Sequence, residues 1–442
     1  MRNWMSNVSA EPGFQLNVLQ ALAKLKEEEK DCSLIFDSMT VKHEIQWNEH
    51  NHSYSGFSNC GNNTSFGKKK VEAQEAVVFL LVSVKGIWKW PIAYFLVKKM
   101  SSTMLSEFLK TALILCSENK LRVHSLTFDG DASNCSAINK LGAQIFAPNY
   151  KDIKHYFSYV SDGKEHVVRV ILDPCHMLKL ARNALAKYKE IVSPEGIIKW
   201  DYIVKLHLLQ KQITLKLKNK LSSHCINWYQ NKMKVKYAAQ TLSSSVANAI
   251  EFLKNKGLEE FKDSSATIQF IRKIDRIFDF LNSRNPFGKG FKKPIFKQDI
   301  EHLKYMVDEI IQYLFSLKTI DGQPLHSPTL KRVFIYGLSI AALSILDICS
   351  DIFKNNQSFK YILTYKFSQD HLEIFFSKIR ARHGFNNNPT CDQFRYAMRQ
   401  LLLHADIKQT INANCFEFDT EYVTSIYPLM WKDKKKQDSL EL

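Results

Sequence analysis

Several familiar signatures are missing from these 442 residues. The nine cysteines stand at positions 32, 60, 116, 135, 175, 225, 349, 391 and 415. No two of them fall at a Cys-x-x-Cys spacing, and no Cys pair is followed by a suitably spaced His pair, which argues against a structural zinc finger. An odd count at irregular spacing fits free thiols in a reducing compartment. No Gly-x-x-x-x-Gly-Lys-Ser/Thr loop occurs, which excludes a P-loop, and the guanine-reading Asn-Lys-x-Asp motif is absent as well. Met1 to Gly13 is too polar for a secretory signal. The one membrane-like run, Val333 to Leu346, has no charge but contains Tyr336 and two serines and is too short to span a bilayer. It reads as a buried helix, and the chain is expected to be soluble and intracellular, with no membrane partner.

What is present is a globular composition, 45% hydrophobic and 12% aromatic, with a formal net charge of +17. The length allows two or three domains, each with its own core. So large a basic surplus favours a polyanionic partner, because each phosphate neutralised releases condensed counterions. A solvated basic surface is the alternative. The lysine clusters Lys68-Lys69-Lys70, Lys289 to Lys293 and Lys432 to Lys436 fit phosphate tracking or nuclear import equally well.

Along the chain the texture changes once. Residues 14 to 30 carry apolar positions at helical spacing, as an amphipathic helix leading into the first domain. Ser33 to Phe36 is a short apolar run ending at Asp37, and Val41 to Trp47 reads as a second strand. Asn48 to Lys70 has the composition of a loop or long hairpin tip. Ala76 to Val84, Ile92 to Val97 and Val123 to Phe128 are further strands, with helices over Met104 to Cys116 and Ser133 to Leu141, so this part is an α/β sheet. From Leu178 the pattern is almost wholly helical: Lys179 to Lys189, Lys199 to Lys218, Ala238 to Asn255, Ala266 to Asn282, Lys297 to Leu317 and Leu330 to Phe353. Helices from Ser368 and over Thr390 to Ala405 follow, then a charged tail.

Three acids stand out by position. Asp37 follows the first apolar run. Asp129 ends a strand, and Gly130 after it allows a tight turn that exposes the carboxylate. Glu373 lies on the helix from Ser368, one turn after Asp370 on the same face. Carboxylates converging from strand ends and a crossing helix are hard oxygen ligands for two divalent ions about 4 Å apart. Ordinary strand-end or helix-start acids are the alternative. His176, in Asp173-Pro174-Cys175-His176, is either a switchable donor that positions a phosphate or a packed residue at a helix start. Lys179 and Arg182 contact phosphates or are solvated.

Four ordered blocks resemble the P-element transposases and their THAP-domain-bearing relatives. They are Leu126-Thr127-Phe128-Asp129-Gly130-Asp131-Ala132-Ser133-Asn134; Asp173 through Asn183; Lys232 through Ala247; and Ser368 through Arg380, continuing over Gly384 to Thr390. Together they place residues 15 to 410 in the family's order. The resemblance implies an RNase H-like catalytic core interrupted by a large all-helical insertion. It implies that Asp37, Asp129 and Glu373 form the catalytic and metal-binding triad for Mg²⁺ or Mn²⁺, with Asn134 and His176 in support. It also implies that the insertion binds GTP as an assembly cofactor. Asp370, beside the active-site helix, is a candidate contact that either reads a guanine edge or caps the helix. Expected partners are DNA (transposon ends and target), GTP and further copies of the chain, in the nucleus. The expected domains are an N-terminal helix and linker (1–31), the first part of the core (32–177), the insertion (178–360), the last part of the core (361–410) and a tail (411–442).

Two departures matter. Where the family has an acid directly after the first catalytic Asp, this chain has Ser38, which is not a metal ligand by this argument. The zinc-coordinating domain that would recognise transposon ends has no counterpart here, so either the gene model is truncated or another chain supplies recognition. A domesticated or decayed copy that holds DNA or GTP without cutting is the second reading. The hAT transposases, which share the core logic, are a more distant one.

Overall fold

The computed structural model describes residues 10–403, apart from 50, 51, 63–65, 67, 328, 329, 331, 383 and 385. The charged tail, Cys415 and the cluster Lys432 to Lys436 lie outside the described residues. The chain divides into two compact units. The first comprises residues 1–143, 156–170 and 366–442, and the second residues 144–155 and 171–365.

The first unit is built on a mixed sheet. Its strands are β1 (Gly13–Phe14), β2 (Asp31–Thr40), β5 (Phe57–Asn59), β6 (Lys68–Glu72), β7 (Glu75–Ser83), β8 (Lys89–Val97), β9 (Arg122–Phe128), β10 (Tyr156–Ser161) and β11 (Lys164–Leu172). A separate hairpin, β3 (Gln46–Asn48) with β4 (Ser53–Ser55), stands apart from it. The order is β10-β11-β9-β2-β7-β8-β5-β6, with β1 added on β8. β2, β7 and β8 form an antiparallel meander, and β9 returns parallel to β2. β7 and β8 are buried at nearly every position. Such unbroken apolar strands belong to a sheet covered on both faces. On one face Phe36, Phe79, Phe95 and Phe128 are buried, and Phe95 stacks on Phe108 of the helix Ser102–Glu118 at 4.0 Å. On the other, Thr127 donates its hydroxyl to the Phe367 carbonyl at 2.9 Å, holding the chain that leads into the helix Asp370–Ala381.

Three sequence expectations change here. Asp37 is not at a strand end, because β2 continues to Thr40 with full pairing to β7. Val41 to Trp47 contributes only two strand residues, Gln46 and Trp47, in the detached hairpin. Of the N-terminal helix and linker, the helix is present as Leu16–Ala23, but the described residues pack into the first unit: β1 pairs with β8, and Val18, Leu19, Ala21 and Leu22 are buried. The strands β10 and β11 carry no strong period-two signal and escaped the sequence reading.

The second unit is mainly helical, around Pro174–Tyr188, Asp201–Gln212, Val235–Thr241, Ser244–Asn255, Ser265–Leu281, Ile300–Ser316 and Val333–Asn355. One strand hairpin interrupts it, β12 (Glu190–Ser193) with β13 (Gly196–Lys199). The unit begins with residues 144–155 and resumes at 171, earlier than position 178 in the sequence reading. Val333–Asn355 is long and apolar enough to cross a membrane, yet 78% of its most apolar window is buried within the protein. Gly337 explains part of this fit, since a Cβ there would lie 2.1 Å from the Met177 sulfur. Among the described residues the cysteines are buried and none is disulfide-bonded. Arg182 is fully buried and Lys179 nearly so, so neither is the solvated or phosphate-contacting side chain that the sequence left open. Arg182 instead donates from Nη2 to the carbonyls of Asn231 at 3.0 Å and Lys232 at 3.3 Å, and from Nε to Asn183 at 2.7 Å.

One buried ion cluster in the first unit sets a pH dependence. Burial alone would raise the Asp31 carboxyl, but hydrogen bonds from His124 (2.7 Å) and Arg122 (2.9 and 3.0 Å) outweigh it and hold the group well below the usual carboxylate range. A depressed acid stabilises the fold above its unfolded pKa, about 4, and that contribution is lost as pH falls below it. Asp31→Asn should therefore cost about 3 kcal/mol at neutral pH, the size expected for breaking a buried pair. Urea unfolding monitored at stepwise lower pH should show the gap to wild type closing below about pH 4; a gap independent of pH would contradict this account.

Candidate active site

The centre of the sheet brings two of the acids together by register. Ser33 pairs with Ser125 and Ile35 with Thr127 in parallel alignment, and the two serine hydroxyls meet at 2.8 Å. Asp37 and Asp129 each stand two residues beyond the last of these pairs, Ile35 with Thr127. Neighbouring strands are about 4.8 Å apart. The stacking of Phe36 on Phe128 at 5.4 Å confirms the alignment one residue earlier. Asp37 and Asp129 line one cavity of about 460 Å³.

Each carboxylate is held. Asp37 Oδ1 accepts the Ser38 backbone N–H at 2.8 Å. Asp129 Oδ1 accepts the Asp131 N–H and the Asn134 side-chain amide, both at 3.0 Å. Gly130 has φ +79°, a conformation natural to glycine, and this lets the chain turn straight from β9 into the helix Ala132–Lys140. Asp131 caps that helix by accepting the Ser133 N–H at 2.8 Å. The side-chain amide of Asn134, in the helix's first turn, reaches back to Asp129.

Glu373 arrives from the helix Asp370–Ala381 and is half-buried. Gln369, buried at the start of that helix, donates to the carbonyl of Phe36 at 3.1 Å, the peptide just ahead of Asp37. Glu373 lies four residues later and its N–H bonds the Gln369 carbonyl, so both side chains project from the same flank of the helix. Glu373 does not line the cavity that Asp37 and Asp129 share. Among the described residues no three His, Cys, Asp or Glu side chains stand close enough to hold a metal ion together. Asp370 is 3% exposed in the first turn. His176 belongs to the second unit, where Asp173 caps the helix Pro174–Tyr188 by accepting the His176 N–H at 2.7 Å.

Three residues that the sequence reading did not single out as site residues line the same cavity: Glu75, Lys99 and Asp131. Glu75 enters because β7 pairs it with Thr40, just beyond Asp37, and Lys99 follows the end of β8. Burial raises the Glu75 carboxyl; Lys99 draws it down and Asp131 pushes it up. Only the strand register could have shown this, since nothing local distinguishes either residue. The cavity thus combines carboxylate oxygens with one ammonium. That donor set suits a hard divalent cation, and Mg²⁺ is commonly held by one or two carboxylates with water and phosphate oxygens completing its shell.

Known proteins share this architecture. Residues 10–142 match the family model of the TNP-like RNase H N-terminal domain. Residues 175–294 match the TNP-like GTP-binding insertion domain, and residues 365–399 the TNP-like RNase H C-terminal domain. The class is therefore an RNase H-like α/β core interrupted by a GTP-binding insertion domain. The DNA transposase THAP9 of Homo sapiens is 30% identical over 406 residues, covering 91% of this chain and 44% of that protein. The Transposable element P transposase of Drosophila melanogaster is 24% identical over 435 residues, covering 95% of this chain and 51% of that protein. The chain is a homologue of the P-element-type transposases, and it spans about half the length of these curated relatives. The Drosophila P element transposase strand transfer complex contains a chain of the same fold, with a TM-score of 0.74 and 21% identity over 90% of this chain and 83% of that one.

The hold of Asn134 on Asp129 is testable without any nucleic acid. Outer-shell partners of metal-binding carboxylates are worth roughly 10- to 100-fold in affinity. Asn134→Ala should weaken Mn²⁺ binding about tenfold in a titration read by paramagnetic relaxation, and Asp129→Asn should weaken it further. Equal affinity in wild type and Asn134→Ala would remove the amide from the site.

Proposed function

We propose that this chain is the catalytic core of a DNA transposase that cleaves and joins DNA strands at Asp37, Asp129 and Glu373. The observation that carries the reading is the parallel register that sets Asp37 and Asp129 side by side at one cavity. Homology to transposases supports the reaction class. Asp37 and Asp129 would hold Mg²⁺ or Mn²⁺, with Glu373 as the third acid. Held there, two such ions would supply Lewis acidity for in-line displacement at phosphorus. The chain's own residues orient the site: Asn134 and the Asp131 N–H fix Asp129, and Gln369 ties the Glu373 helix to the strand that carries Asp37. Lys99 lines the cavity with a positive charge suited to the phosphate being attacked.

The match of residues 175–294 supports GTP as a ligand of the insertion; its use would be in assembly, without hydrolysis. No P-loop is present, so the nucleotide would be held by helical side chains of the insertion. The protein would work in the nucleus as a homo-oligomer, because joining two transposon ends calls for two active sites.

The decisive measurement is Mg²⁺- or Mn²⁺-dependent nicking of transposon-end DNA, with and without GTP, by wild type and Asp129→Ala. Cleavage by wild type and at least a thousandfold loss in the variant is the expected result. DNA binding without cleavage by either protein would turn the reading to a domesticated protein that holds DNA and no longer cuts it.

A further inference from the structure

The second unit carries a stretch without a single acid. Between Asp201 and Glu251 there are 49 residues, eight of them lysine and none Asp, Glu or Arg. The chain's average of 44 acids in 442 residues would place about five there. These eight lysines amount to nearly half of the net charge of +17, from about a ninth of the chain.

The fold keeps that charge outside. Lys211, Lys216, Lys218, Lys220, Lys232, Lys234 and Lys236 are all exposed, while Lys205 is ion-paired to Asp201 at 2.9 Å. They fall on two segments, the last turn of the helix Asp201–Gln212 with the stretch after it, and the stretch before the helix Val235–Thr241 with that helix's first turn. Buried residues mount both segments. The Leu217 N–H donates to the Gln210 side chain at 3.2 Å, and the Leu221 N–H to Asn219 at 3.1 Å. Arg182, 0% exposed, grips the carbonyls of Asn231 and Lys232. A guanidinium fully withdrawn from water to hold a surface turn makes that turn a built feature of the unit. The charge of the other segment reaches a neighbour: burial and then Lys211 and Lys216 depress the His207 imidazole below its ordinary value. Apolar groups stand among the charges, with Tyr229 at 69% and Met233 at 62% exposure, and the Lys232 ammonium 5.4 Å from the Tyr229 ring centroid.

We infer that this face of the insertion, from Lys211 to Lys236, is a docking surface for the phosphate backbone of duplex DNA, additional to the acid site in the first unit. The inference rests on the reading that DNA is the substrate. Seven exposed ammonium groups exceed what a nucleoside triphosphate can neutralise, whereas a duplex presents a charge about every 1.7 Å. Lysine acts as a point charge on phosphate, so such a surface tracks the backbone and reads no sequence.

The test is fluorescence anisotropy of a short random-sequence duplex with the full chain, in EDTA, across a potassium chloride series. Three proteins are compared with wild type: K216Q/K218Q/K220Q, K232Q/K234Q/K236Q, and K110Q/K120Q/K164Q as a control with the same charge change on the first unit. Each insertion triple should flatten the slope of log K against log salt by about 2 to 3 and weaken affinity at least tenfold. The control triple should leave the slope within about 1 of wild type. Binding of mant-GTP should be unchanged throughout. Wild-type slopes in the insertion triples, or an equal loss in the control, would overturn the inference; a selective loss of mant-GTP binding would assign these lysines to the nucleotide instead. EDTA suppresses metal-dependent cutting while binding is read; a chain that binds through these lysines yet fails to cleave when Mg²⁺ or Mn²⁺ is supplied would sink the catalytic reading and leave this one standing.

Discussion

The parallel pairing of β2 with β9 is the constraint on which the site depends. A strand's side chains alternate between faces, so a slip of one residue would turn Asp37 away from Asp129 and send Phe36 to the wrong layer. The register is held from both sides. Ser33 and Ser125 bond across one face, and Phe36 and Phe128 stack on the other. β7 locks β2 further with nine consecutive antiparallel pairs from Cys32 to Thr40. Two carboxylates that would repel one another, one inside β2 and one just past the end of β9, are thereby set at one cavity by forces that have nothing to do with their charge. Apolar packing fixes where the acids stand, and the acids then offer a place for cations.

The Glu373 helix uses the same logic with different bonds. Its lead-in is tied to β9 through Thr127 and to β2 through Gln369, so it references both strands that bear the other acids. Polar groups perform this tethering inside a largely apolar layer. Each of these buried donors has a carbonyl to meet, which avoids the cost of an unsatisfied polar group. A helix positioned by hydrophobic contact alone could slide along a smooth face; two directional bonds at its start remove that freedom.

Much of this was legible in the sequence, and the reasons differ by element. Asp129 was placed correctly because its signals are local: an apolar strand, then Gly130, then an Asp that caps a helix. Asp37 was located too near a strand end, since the polar residues Asp37, Ser38 and Thr40 masked a strand that pairing with β7 sustains. Glu75 and Lys99 were invisible, because their role comes from strands β7 and β8 being laid beside β2. Arg182 was misread for a related reason: its charge suggested solvent, and its partners are main-chain carbonyls about fifty residues away. Side chains that answer to their own neighbours can be read from a sequence. Those that answer to distant backbone cannot.

The bond between Thr127 and Phe367 spans 240 residues. Its consequence falls on the chain as it is made. Until the ribosome has passed Phe367, the sheet has one face without its final helix, and Ile35, Thr127 and their neighbours face solvent or improvised cover. Contacts so far apart in sequence form slowly, and an uncovered apolar sheet is prone to association while it waits. The intervening unit has its own apolar core and can fold in that interval. Its early folding would keep the two distant ends of the sheet unit from drifting as a loose loop. A nascent chain stalled inside the insertion would then hold a folded insertion core beside an unfinished catalytic sheet, which is the species a chaperone would have to shield.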